Sequence, residues 1–108
     1  MKNIRAIIRP EKVFDVLNAL ESEGFYAVTR VSILGRGKQR GLKVGNIHYD
    51  ELPKEMLMLV VNDEDKDDVI HIIIRSSKTG EKGAFGDGKI FVNSVDEVYT
   101  ISSGKSEL

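Results

Sequence analysis

The chain has 108 residues, of which 41% are hydrophobic and 31% are charged, so it can form one soluble globular domain with its own core. Its formal net charge of -1 argues against a nucleic-acid-binding protein, which usually carries a clear positive excess. The absence of cysteine excludes disulfides, thiolate nucleophiles and thiolate metal sites.

The first half of the chain predicts a strand, a helix and a second strand. Apolar and charged residues alternate from 2 to 9, which is typical of a strand. Pro10 suits the first turn of a helix, and the apolar stripe that follows it ends before Gly24, a common C-terminal cap. A second strand is expected from 27 to about 34.

The second half predicts a strand, a helix and a further strand. The unbroken apolar run MLMLVV at 56–61 indicates a strand that is central or buried on both faces. A helix follows from about 62, since acids crowd its first turn and basic residues its end. KIFVNSV at 89–95 predicts a strand, 98–101 a short additional one, and 102–108 a loose tail.

The resulting order, βαββαβ, predicts an α+β fold of the ferredoxin-like type. This fold has a four-stranded antiparallel sheet with both helices on one face, here as a single domain over 1–108. The connection between strands two and three, about 37–53, is much longer than the few residues that a hairpin needs. Long loops in compact domains are usually functional or disordered, so this one is a candidate regulatory loop.

Two glycine-rich segments are the strongest functional signal. GRGKQRG at 35–41 and the segment ending in GDGK at about 79–89 both combine flexible backbone with positive charge. Backbone N–H groups of such turns bind anions, and lysine adds a point charge for phosphate. The second segment fits GxxxxGK, but it precedes a strand and lacks the Ser or Thr of a P-loop. Each segment alone is also explained by a solvated turn, whereas the two together favour an anion site.

Other candidate sites are weaker. His48 and His71 have no obvious third metal ligand, and the acids at 63–68 have the wrong spacing for calcium. No nucleophile, base or paired carboxylates are arranged for catalysis, so a metal-binding or enzymatic domain is the least favoured hypothesis. The longest apolar run is too short to cross a bilayer, and no secretory signal is visible. We therefore expect a cytoplasmic protein without membrane insertion that is not an enzyme.

Four stretches resemble the PII signal transduction proteins. They are IRAIIRPEK at 4–12, VTRVSILGRGKQRG at 28–41, ELPKEMLMLVV at 51–61 and TG…GDGKIFV at 79–92. Together they cover essentially the whole chain, and the two glycine motifs are specific in this combination. The shortened loop before YDELPK is most similar to the nitrogenase-linked subgroup, which is found beside nitrogenase genes.

The resemblance implies a regulatory protein that senses ATP or ADP, with Mg²⁺, and 2-oxoglutarate. The assembly would be a trimer, homomeric or mixed with a related PII subunit, and the glycine segments of adjacent chains would meet around the nucleotide. The long loop would change conformation with the ligand state and bind a target protein, with nitrogenase as the expected one. Nucleic acid is not an expected partner.

The resemblance also implies which residues bind each ligand. Gln39 would hold Mg²⁺ and, with Arg40, Gly41 and Lys54, bind 2-oxoglutarate. Thr29 and Val60 would contact the adenine. The residues that would line the ribose and phosphates are Gly35, Gly37, Lys38, Gly86, Asp87, Gly88 and Lys89.

Departures from the family pattern define an alternative function. The family usually carries two phosphate-binding arginines after its last strand, and this chain has Thr100 and Ser102 at the matching positions. Extra residues also lie within EKGAF, before GDGK. With weakened or lost nucleotide binding, the chain would be a PII-like interaction module that controls an ammonium transporter or another partner. Tyr49 does not match the family's uridylylation site, so this modification is not expected.

Overall fold

The structure, a computed structural model, describes residues 1–36 and 51–107. They form two helices and a four-stranded antiparallel sheet, so the predicted βαββαβ order is confirmed. Short 3-10 turns precede both helices, and a small hairpin follows the last strand of the sheet. The elements are β1 (Lys2–Ile8), α1 (Val13–Ser22), β2 (Thr29–Gly35), β3 (Leu52–Val61), α2 (Lys66–Ser77), β4 (Gly88–Ser94), β5 (Tyr99–Thr100) and β6 (Lys105–Ser106).

The sheet has the strand order β2-β3-β1-β4, so β1 and β3 are central and β2 and β4 are edges. Ile4 pairs with Leu59 on one side and with Val92 on the other, which fixes the register of the middle of the sheet. A slip by one residue would turn the apolar side chains of β1 and β3 away from the helices. Burial of these side chains therefore sets the register.

The core lies between one face of the sheet and the two helices. It is built from alternate residues of β1 and β3 and from the apolar stripes of α1 and α2, as their strand and helix periods require. Each large aliphatic side chain buried here contributes about 1.5–3 kcal/mol. The buried residues are Ile4, Ala6, Ile8, Val13, Val16, Leu20, Leu57, Leu59, Val61, Val69, Ile72 and Ile73.

The opposite face of the sheet is open and carries apolar side chains around Arg5. Met56 and Met58 are half-buried there, and Val60 is exposed. The sequence left two alternatives for this strand: its central position is confirmed, and its second face is not covered in the single chain. Both helices pack on the other face, so these side chains have only their sheet neighbours beside them. Val31, the cross-strand partner of Met56, and Phe91, the partner of Arg5, lie on the same face and are also exposed.

Strand β3 begins earlier than the sequence predicted. Pro53, expected to close the long loop, lies inside the strand and pairs with Leu34 of β2. Proline is tolerated because β1 ends opposite Glu55, so β3 has a partner on one side only at this point. Lys54 is therefore held in a strand. The rest of the long loop, 37–50, lies outside the described residues.

The tail is also more ordered in structure than predicted. The short strand expected at 98–101 is present as Tyr99–Thr100, but it pairs with Lys105–Ser106, so a hairpin replaces the expected loose segment. The N–H of Glu107 donates to the carbonyl of Val98 at 2.9 Å and extends the pairing. Tyr99 is largely exposed and Ile101 almost fully so.

The one-sided core predicts a large difference between two leucines of neighbouring strands. Leu57→Ala should lower the free energy of unfolding by about 2–5 kcal/mol, because Leu57 is completely buried and its truncation leaves a cavity. Leu34→Ala is the matched control, since Leu34 is 66% exposed, and its effect should stay within about 0.5 kcal/mol. Urea denaturation measures both, and equal losses would contradict this core.

A second prediction concerns the start of β4. Gly88 has a φ of +113°, and a Cβ there would overlap the carbonyl oxygen of Ile7. Gly104 also has a positive φ, +68°, but open space around it. Gly104→Ala therefore incurs only the left-handed backbone cost of about 1–2 kcal/mol. Gly88→Ala should lose about 1–3 kcal/mol more from overpacking, measured by the same denaturation. Equal destabilisation would show that the backbones of β1 and β4 are not in close contact.

Candidate functional site

A cleft of about 620 Å³ opens at one end of the sheet. In an antiparallel sheet β2 ends where β3 begins, and β1 ends where β4 begins, so all four strands bring residues to this end. Gly35 and Arg36 follow from β2 and Lys54 from β3, while the glycine loop (79–89) supplies its residues 84–89. The first two residues of GRGKQRG thus lie beside the glycine loop of the same chain, and the rest of that segment lies outside the described residues.

Lys54 connects the sheet to the glycine loop. Its Nζ donates a hydrogen bond of 2.6 Å to the carbonyl oxygen of Gly86. Burial and the positive charge of Arg9 lower the pKa of Lys54, and the carboxylates of Glu11 and Asp87 partly offset this. The ammonium group is therefore partly desolvated, which strengthens its attraction for an anion.

Asp87 organises the glycine loop through its carboxylate. Thr79 donates to it from its backbone N–H at 3.2 Å and from Oγ1 at 2.6 Å, and the N–H of Ala84 donates at 2.8 Å. Arg9 Nε donates at 3.0 Å, and its Nη2 also donates to the carbonyl of Phe85 at 2.7 Å. Burial raises the pKa of Asp87, but these hydrogen bonds outweigh it and hold the pKa well below its usual range. The carboxylate is therefore ionised at neutral pH.

The cleft carries an excess of positive charge. Among the described residues that line it, Arg36, Lys54 and Lys89 are cationic, and Asp87 is the only acid. The charge of Asp87 is compensated by its ion pair with Arg9. Ile7 and Phe91 add apolar surface to the cleft. This combination suits a ligand with an anionic part and a flat apolar part.

Some of the predicted site residues lie together in the cleft, and two others lie at the opposite end of the sheet. Lys54, Gly35 and the four loop residues Gly86, Asp87, Gly88 and Lys89 line the cleft together. Thr29 lies at the opposite end of β2, about 20 Å along the strand from Gly35. Val60 lies near that same far end of the sheet, opposite Asn3.

Five further predicted residues lie outside the described part of the chain. They are Gly37, Lys38, Gln39, Arg40 and Gly41, and His48 and Tyr49 lie there too. His71 lies exposed on α2, and within 1–36 and 51–107 no group of three His, Asp or Glu side chains is placed to hold a metal ion.

Sequence reasoning missed Arg9, Arg36 and Thr79. Arg9 precedes Pro10, which favours an extended residue before it, and Arg9 has φ −64° and ψ 138°. A cation fixed at the end of a central strand was therefore a detectable signal. Arg36 was part of GRGKQRG, but no role was assigned to it. Thr79 offered no signal, since only the fold of the loop brings it to Asp87.

The two positions at which the resemblance implies phosphate-binding arginines carry neutral residues here, Thr100 and Ser102. Thr100 Oγ1 donates to Glu107 Oε2 at 3.0 Å within the β5–β6 hairpin, and Ser102 is exposed. The tail of the chain therefore brings no positive charge at these two positions. In the described residues, no helix is long and apolar enough to cross a membrane.

Comparison with known proteins identifies the family. The family model described as nitrogen regulatory protein P-II matches residues 1–105. The chain is 51% identical over 106 residues to a nitrogen fixation nifHD region GlnB-like protein 1 of Methanothermococcus thermolithotrophicus, with 98% of each chain covered. It is 50% identical over 108 residues to a nifHD2 region GlnB-like protein 1 of Methanosarcina barkeri, with both chains covered completely.

A relative with a more general name agrees with this assignment. The nitrogen regulatory protein P-II 2 of Methanothermobacter thermautotrophicus is 46% identical over 110 aligned positions, covering 98% of this chain and 93% of the relative. The fold, the position of Gly35 and Arg36 beside the glycine loop and the similarity over the whole chain agree: the chain belongs to the nitrogen regulatory protein P-II family.

Proposed function

We propose that this chain is a cytoplasmic signalling protein that binds ATP or ADP and 2-oxoglutarate in the cleft and controls a target of nitrogen metabolism. The observation that carries the proposal is the meeting of Gly35, Lys54 and the glycine loop around one cleft with excess positive charge. A polyphosphate and a dicarboxylate both require cations and free backbone N–H groups. The described part of the cleft supplies the cations Arg36, Lys54 and Lys89 beside glycine-rich backbone.

The phosphates are assigned to the glycine loop and the end of β2. Lys89 and Arg36 line the cleft from opposite sides, and Gly86 and Gly88 both have positive φ values that turn the backbone sharply. Each charge-assisted hydrogen bond to a phosphate would contribute about 1.5–3 kcal/mol. Gly37 and Lys38, which continue the chain from Arg36, are proposed to extend this set.

Lys54 is assigned to a carboxylate of 2-oxoglutarate, with Gln39, Arg40 and Gly41 completing the pocket. Its ammonium group now donates to the Gly86 carbonyl and would exchange part of that contact for the ligand. Mg²⁺ prefers oxygen ligands, which the nucleotide phosphates, 2-oxoglutarate and the Gln39 side chain provide.

The site is proposed to be completed by a second subunit. Lys54 and Ile7 lie on the same face of the sheet as Met56, so the cleft opens onto the apolar face that the helices leave uncovered. A second chain on this face would bury it and would bring its own Thr29 and Val60 to the adenine. We therefore propose a trimer, homomeric or mixed with a related PII subunit. The β5–β6 hairpin would gain support there, since a two-stranded hairpin is only marginally stable alone.

The long loop is proposed to transmit the ligand state. Gly35 and Leu52, the last and first residues of its flanking strands, are paired, and Lys54 follows two residues later. A ligand in the cleft therefore contacts both ends of the loop and biases its conformation. The relatives named for the nifHD region support nitrogenase as the target.

Calorimetry with Mg-ATP, with and without 2-oxoglutarate, tests the sensing function. Wild-type protein should bind Mg-ATP and respond to 2-oxoglutarate. Lys54→Gln should weaken the 2-oxoglutarate response about 30-fold, as expected for the loss of one charge-assisted contact of about 2 kcal/mol. Lys66→Gln is the control, since Lys66 pairs with Asp67 at the start of α2. Folded wild-type protein that gives no binding heat under either condition would exclude the proposal.

A second candidate function follows from the neutral tail. Because Thr100 is hydrogen-bonded to Glu107 and brings no charge, nucleotide binding is weakened or lost in this hypothesis. The chain is then an interaction module for an ammonium transporter or another partner.

The double variant Thr100→Arg/Ser102→Arg tests this candidate. It should tighten ATP binding at least about tenfold, since a single charge-assisted hydrogen bond of about 1.5 kcal/mol is enough for this factor. Thr100→Gln/Ser102→Gln is the control, with long side chains but no charge. Tight ATP binding by the wild type, with no gain from the arginines, would exclude the module hypothesis.

A further inference from the structure

We propose that Asp87 and Arg9 hold the glycine loop in its binding conformation through hydrogen bonds within the protein, and that the carboxylate of Asp87 does not contact the ligand. This inference rests on the proposed function, since it assigns roles within the same cleft. It replaces the direct contact with the nucleotide that the resemblance implied for Asp87. Both residues are positioning residues here.

The carboxylate of Asp87 has no acceptor capacity left. An ionised carboxylate offers about four lone-pair sites. Four donors occupy them at 2.6–3.2 Å: the N–H and Oγ1 of Thr79, the N–H of Ala84 and Nε of Arg9. The side chain is also only 20% exposed. A ribose hydroxyl or a metal ion would have to displace one of these donors.

Three consecutive loop residues are fixed from the sheet. Arg9 holds the carbonyl of Phe85 and the side chain of Asp87, and Lys54 holds the carbonyl of Gly86 between them. Glycine backbone is otherwise free to adopt many conformations, and ordering it on binding would reduce affinity. The contacts from Arg9, which follows β1, and from Lys54 of β3 establish this order before the ligand arrives.

Arg9 has a second effect, on the charge of the cleft. An unpaired carboxylate beside the N–H groups of Gly88 and Lys89 would repel phosphate. The guanidinium of Arg9 lies 3.0 Å from the carboxylate oxygen of Asp87 and compensates its charge. Asp87 can therefore fix the conformation of the loop while the loop still attracts anions.

Thr79 allows a test that separates positioning from contact. Thr79 donates two hydrogen bonds to Asp87, yet it is not among the residues that line the cleft. Thr79→Val removes the hydroxyl donor with little change in shape, and Thr79→Ser keeps it. An effect of the valine variant on ligand binding must therefore pass through Asp87.

Two measurements on the full chain test the inference: residue-resolved amide hydrogen exchange at Ala84 without ligand, and the affinity for Mg-ATP. Thr79→Val and Asp87→Asn should both accelerate the exchange and weaken ATP binding by about tenfold, the factor for one lost hydrogen bond. Thr79→Ser should remain close to wild type. The double variant Thr79→Val/Asp87→Asn should bind ATP no more weakly than Asp87→Asn alone, because both changes act on one hydrogen-bond network.

Other results would overturn the inference. If Asp87→Asn weakens ATP binding while exchange at Ala84 and the affinity of Thr79→Val stay as in wild type, Asp87 contacts the ligand directly. If Asp87→Asn does not fold, the valine and serine variants decide alone. If the wild type binds no ATP, the proposed function fails, and exchange at Ala84 still decides whether Asp87 orders the loop: unchanged exchange in both variants would exclude it.

Discussion

The antiparallel register of the four-stranded sheet is the constraint on which the rest of the molecule depends. It places Gly35 opposite Leu52 and Ile8 opposite Gly88, so the end of β2 and the start of β4 lie at the same end of the sheet. The register is set by burial on the helix-covered face, because a slip of one residue would expose the core. The positions of the cleft residues therefore follow from burial on the other face of the sheet.

The sheet also separates two kinds of apolar surface. One face forms a complete core with α1 and α2, and the other keeps Met56, Met58 and Phe91 half-buried or exposed. An open apolar face of this kind usually marks an interaction surface, since soluble single chains seldom leave one uncovered. The cleft opens onto this face, so assembly and ligand binding would depend on the same side chains.

The sequence predicted features that depend on local pattern and missed those that depend on pairing. The order of the elements and the ends of α1 follow from apolar periods and from Gly24, whose φ is +90°. The early start of β3 was missed because Pro53 indicated a loop, and only the end of β1 explains why it fits. The short strand at 98–101 was predicted, but its partner β6 was missed, because the hairpin pairs exposed residues that show no apolar alternation.

The candidate site shows the same division. Motifs identified Lys54 and the loop residues Gly86 to Lys89, which lie together in the cleft. Arg9 is 78 residues from Asp87 in the chain, so no local pattern connects them. Lys54 is 32 residues from Gly86, yet it bonds to the loop on which the phosphates are proposed to bind. With the ligands placed as proposed, a carboxylate on Lys54 would compete with that bond, and by linkage nucleotide and 2-oxoglutarate would alter each other's affinity equally.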